Sequence, residues 1–99
     1  MTEIKPLSKT IISPKGLAGF TLKQVYQDDD FYIYEKVNTE FNYKAGYELF
    51  ERRVNTMFKC ETVPGGEAFG IWAFQLPNLN KAYIKLRQLK QEKLLNEKK

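Results

Sequence analysis

The chain has 99 residues, 42% of them hydrophobic and 14% aromatic, which suffices for one small domain around a single core. With no histidine and one cysteine, it excludes an intramolecular disulfide, a Cys–His nucleophile pair and a structural zinc site built within one chain. The net charge of +4 is unevenly spread: residues 78–99 hold seven Lys and Arg against Glu92 and Glu97, whereas residues 1–77 hold nine cations against ten carboxylates.

The opening residues, Met1 to Pro6, are polar, and no apolar run nears the roughly 18 residues of a membrane span. A cytoplasmic protein with no membrane partner is the expectation. Residues 1–19 carry Pro6, Pro14, Gly16 and Gly19 around one apolar pair, Ile11-Ile12. They predict an extended arm that pairs a few residues along a sheet edge.

Phe20 to Gln27 is rich in strand formers, and Asp28-Asp29-Asp30 supplies a polar turn. Phe31 to Val37 then alternates strictly, with Phe31, Ile33, Glu35 and Val37 on one side and Tyr32, Tyr34 and Lys36 on the other. The two runs predict a hairpin. Continued alternation through Thr39, Phe41 and Tyr43 would lengthen the second strand, with Lys44-Ala45-Gly46 as the next turn.

Residues 47–58 fit two patterns. A strand places Glu48, Phe50, Arg52 and Val54 on one face, and a helix aligns Leu49, Phe50, Val54, Met57 and Phe58. Aromatics open the segment and no Asp, Ser or Thr cap precedes it, which favours the strand. Pro64-Gly65-Gly66 marks a turn. Glu67 to Leu76, apolar on both faces, predicts a central strand, with Gly70 beside Trp72 relieving crowding or marking a bulge.

Pro77 ends that strand and Asn78 is a helix N-cap. Leu79, Ala82, Tyr83, Leu86 and Leu89 form one apolar stripe, which fails where Lys90 and Lys93 take the same side. The expected organisation is an arm over 1–19, an α+β domain over 20–89 and a charged helical extension over 90–99. An antiparallel sheet of about four strands with the C-terminal helix on one face satisfies the packing.

Chemistry-bearing patterns are few. Lys81, Lys85, Arg87, Lys90 and Lys93 gather the positive charge on one element, as a phosphate-facing or acid-facing helix requires. The same cations also suit a solvated face near a helix C-terminus, where the macrodipole favours them. Ile84, Leu94 and Leu95 add apolar positions that a purely solvated helix does not need. Tyr32, Tyr34, Phe41, Tyr43 and Tyr47 make a base-stacking platform or, more simply, a core with a wet margin.

Asp28, Asp29 and Asp30 lack the downstream Glu of a calcium loop and read as a turn. Gly65 to Gly70 has no P-loop lysine, Cys60 has no base to activate it, and Glu48 and Glu51 read as surface charges. No cofactor, metal or enzymatic activity is expected.

Tyr47-Glu48-Leu49-Phe50, then Glu67-Ala68-Phe69-Gly70-Ile71-Trp72-Ala73-Phe74, then a short helix containing Ala82, resembles small uncharacterised proteins of bacteriophage genomes and integrated elements. The likeness covers the second half of the chain, with Trp-Ala-Phe where two Trp would flank the Ala. It implies a phage or mobile-element origin and an accessory role, and carries no functional residue across. The expected function is a non-enzymatic binding protein that contacts nucleic acid, a nucleoprotein complex or an acidic protein surface through the basic helix. The alternative is a protein–protein module (a homodimer, or an inhibitor or adaptor of a host protein) using Ile84, Leu94 and Leu95 with the N-terminal arm.

Overall fold

A computed structural model describes residues 7–12, 19–55, 57, 60–62, 64 and 68–97. Five strands form one antiparallel sheet: β1 (Thr10–Ile12), β2 (Phe20–Gln27), β3 (Phe31–Asn38), β4 (Tyr43–Glu51) and, at the far edge, β7 (Ala73–Leu76). Between β4 and β7, β5 (Val54–Asn55) pairs with β6 (Cys60–Glu61) as a separate ladder, and α1 (Leu79–Glu97) closes the chain. The fold is α+β. The strand beyond the expected four is β1, where the arm adds three residues to the edge of β2 with Ile11 opposite Leu22.

β3 is the centre, because its alternation serves two cores. Phe31 and Ile33 join Leu49, Ala82 and Leu86 under the helix, flanked by Tyr26, Tyr47, Leu76, Leu79, Tyr83 and Leu89. Tyr32 and Tyr34 join Leu22, Phe50, Ala68 and Ala73 on the opposite face, where Leu7, Ile11, Phe69 and Trp72 cover them. Phe50 stacks on Tyr34 with ring centroids 5.6 Å apart and planes 4° from parallel. Each face thus buries large rings, which offsets the small volume of the domain.

Two expectations are corrected. Lys44-Ala45-Gly46 is not a turn but a bulge inside β4: Lys36 opposes Gly46 and Val37 opposes Lys44, leaving Ala45 as the extra residue. The chain reverses earlier, over residues 39–42, where Asn42 has φ 55° and Phe41 N–H donates to Asn38 Oδ1. Gly46 itself has φ 123°, and a Cβ there would sit 3.0 Å from the Leu76 carbonyl oxygen.

The run 67–76 is not a central strand either. Ile71 and Trp72 N–H groups both reach the Ala68 carbonyl, and Gly70, at φ 88°, donates to the Ala73 carbonyl. The run therefore turns back before β7 begins, and Ile71 is left exposed. Residues 47–51 are strand, as the missing cap implied. Gly65 and Gly66 lie outside the described residues.

Candidate protein interface on the C-terminal helix

The helix starts where local chemistry predicts. Asn78 Oδ1 accepts from Lys81 N–H at 2.8 Å, which satisfies one of the free donors of the first turn. Leu79, Ala82, Tyr83, Leu86 and Leu89 pack on the sheet, and Tyr83 meets Tyr26 edge-on with centroids 5.8 Å apart.

Past Leu89 the helix does not leave the body as a free extension. Lys90 Nζ lies 2.7 Å from Asp28 Oδ2, and Lys93 Nζ lies 3.1 Å from Asp30 Oδ1. The acidic turn between β2 and β3 is the counterpart of the failing stripe. A core-facing side cannot hold bare ammonium groups, but it holds these at the sheet's end, where carboxylates receive them. Asp28 is the organiser: its Oδ1 accepts from the N–H groups of Asp30 and Phe31, and its Oδ2 from Tyr26 OH as well. Partial burial pushes its carboxyl up, but the bonds from Lys90, Tyr26 and the two N–H groups outweigh it and bring the pKa down to about 2.

The five cations expected to act together are therefore divided. Lys90 and Lys93 are engaged by the turn, and Lys85 Nζ sits 4.5 Å from the centroid of the Phe74 ring. Lys81 and Arg87 remain exposed. The tyrosine platform does not form: Tyr32 and Tyr34 are buried, and Tyr47 lies on the helix side with its hydroxyl on Glu35. Of the five aromatics, Phe41 in the 39–42 turn and Tyr43 at the start of β4 are the exposed ones.

The side of α1 opposite the core presents Ile84, Leu94 and Leu95, exposed at 44%, 55% and 58%. Lys81, Arg87, Gln88, Gln91 and Glu92 are exposed polar residues around them. With two lysines drawn back towards the sheet, this outer face is less positive than its composition implies. It combines apolar anchors with neutral amides, a mixture suited to contact with another protein.

The face beneath Tyr32 holds buried charges, among them a carboxylate that sequence reasoning placed on the surface. Glu48 is 1% exposed, not a surface carboxylate, and Lys36 Nζ lies 3.8 Å from its Oε2. Burial raises the Glu48 pKa and Lys36 opposes that rise. Nearby, Glu61 accepts from the Tyr32 hydroxyl and from Leu7 N–H at 3.0 Å, while Arg52 Nε lies 2.6 Å from its other oxygen without the alignment of a hydrogen bond. Arg52 Nη2 donates to Tyr32 OH at 3.2 Å. Desolvation by burial, then the carboxylate, pushes the Tyr32 hydroxyl up, and burial takes Tyr34 to about 12. These groups staple the arm and the β5–β6 ladder to the sheet. Their pattern had no sequence signal, since the partners lie in separate segments.

Glu51 pairs with Arg53 at 3.4 Å, and Cys60 is half-buried. Among the described residues, no cluster of three or more His, Cys, Asp or Glu side chains is arranged to hold a metal, and no helix is long and apolar enough to cross a membrane. No known family model, curated protein or solved structure matches the chain.

Proposed function

We propose that the protein is a non-enzymatic, cytoplasmic binding module that contacts another protein through the outer face of α1. The observation that carries this reading is the exposure of Ile84, Leu94 and Leu95 on a helix whose opposite side is packed on the sheet up to Leu89. The likeness of the second half to phage-encoded proteins adds an accessory role in a phage or integrated element to the proposal. A nucleic-acid contact, the other expectation, would rest on Lys81, Lys85 and Arg87, because Lys90 and Lys93 already have carboxylate partners.

The test is capture from lysate, with and without nuclease, by the intact chain and by the variant Ile84→Asp/Leu95→Asp. The expected result is a captured protein that survives nuclease and disappears with the variant. Capture abolished by nuclease and unaffected by the variant would transfer the function to the cationic residues.

A further inference from the structure

We infer that the occupant of this helical face is a second copy of the same chain, paired antiparallel about a two-fold axis; the inference rests on the interface reading above. Ile84, Gln88, Gln91 and Leu95 are all exposed and follow one another at spacings of 4, 3 and 4 residues, the alternation that keeps one seam facing a partner helix. The row reads apolar, amide, amide, apolar in both directions. In an antiparallel two-fold pair each position meets its mirror position on the other copy, so this order sets apolar against apolar and amide against amide.

In that pairing Ile84 lies against Leu95 of the second copy, twice, and Gln88 against Gln91, where amide N–H and carbonyl groups can bond each other. The flanks agree with the register. Lys85 and Glu92 lie on the same side of the seam, seven residues apart, so each Lys85 borders Glu92 of the second copy. Glu92 is exposed on the free helix, and Lys85, whose ammonium lies above Phe74, is a partly exposed residue. On the other flank the Arg87 stem covers Leu94.

A parallel pair would instead set Arg87 against Glu92 of the second copy and leave Lys85 without a carboxylate, so the Lys85 and Glu92 variants tell the two arrangements apart. A helix pair of this length buries less than the roughly 1,600 Å² of a standard interface, so dimerisation in the micromolar range or weaker is expected.

Sedimentation equilibrium of the full chain over a concentration series tests the inference, with circular dichroism to check the fold of each variant. The wild type is expected to shift from monomer to dimer, and Leu95→Glu to remain monomeric. Lys85→Glu and Glu92→Lys should each weaken association about tenfold, because each converts two attractive contacts into two repulsive ones. The double variant Lys85→Glu/Glu92→Lys should recover most of the wild-type affinity. A wild type that stays monomeric throughout overturns the second copy as occupant, and a double variant no better than the singles overturns the antiparallel register. If that monomer still loses its lysate partner through Ile84→Asp/Leu95→Asp, the interface reading survives while the self-association fails.

Discussion

Glu48 carries a carboxylate into the sheet with the Lys36 ammonium 3.8 Å from its Oε2, an oxygen that accepts no hydrogen bond. A carboxyl whose pKa is raised on folding is held more favourably protonated than ionised. Its burial therefore favours the fold at acid pH and weakens it as pH rises through the folded value. The Lys36 charge is what makes the ionised form tolerable. Lys36→Met is expected to cost about 3 kcal/mol at pH 7 and much less at pH 4, where Glu48 protonates. Lys36→Met/Glu48→Leu should lie near the wild type at both. Urea unfolding at the two pH values decides; equal losses for the single variant would refute this account.

At the scale of the element, α1 is held twice, by an apolar stripe up to Leu89 and by the acidic turn beyond it. Asp28 falls from 3.8 to about 2 on folding. A depressed carboxyl stabilises above its unfolded pKa, and that stability is lost as pH drops through the folded value. The contribution at neutral pH is about 2 kcal/mol, lost between roughly pH 4 and pH 2. Asp28→Ala should flatten that acid limb of the stability curve. It should also lower amide-exchange protection about tenfold beyond Leu89, leaving residues 82–86 protected. Uniform loss along the whole helix would show that the turn does not act locally on its C-terminal half.

The whole molecule is organised by β3, which shares its residues between two cores. Ile33 lies under the helix, while Trp72, the chain's one tryptophan, reports on the opposite face. If the faces unfold as one unit, Ile33→Ala should destabilise by about 3 kcal/mol. It should move the midpoints seen by tryptophan fluorescence and by far-UV circular dichroism together. Separated midpoints would mean that the covers on the two faces melt independently. The same central strand explains why the tyrosines are unavailable as a stacking surface: alternation puts Tyr32 and Tyr34 on a face that the arm and the 68–72 turn cover.

How much was legible in the sequence follows from the range of each interaction. Strand β2 runs over Phe20–Gln27 as its composition predicts, and Asn78 caps α1. The outward position of Ile84 and Leu95 could likewise be read from helical spacing. The bulge at Ala45-Gly46 and the turn at Ala68–Trp72 could not, because a glycine or a short apolar run serves several backbone shapes until a neighbouring strand selects one.

The alternation, the cap and the total charge thus belonged to the chain alone, since each depends on residues within a turn or two of one another. Where that charge is spent was settled only by folding. The sheet carries Asp28 and Asp30 to lysines 62 and 63 residues further along the chain, and electrostatic attraction depends on distance in space, which no local pattern records.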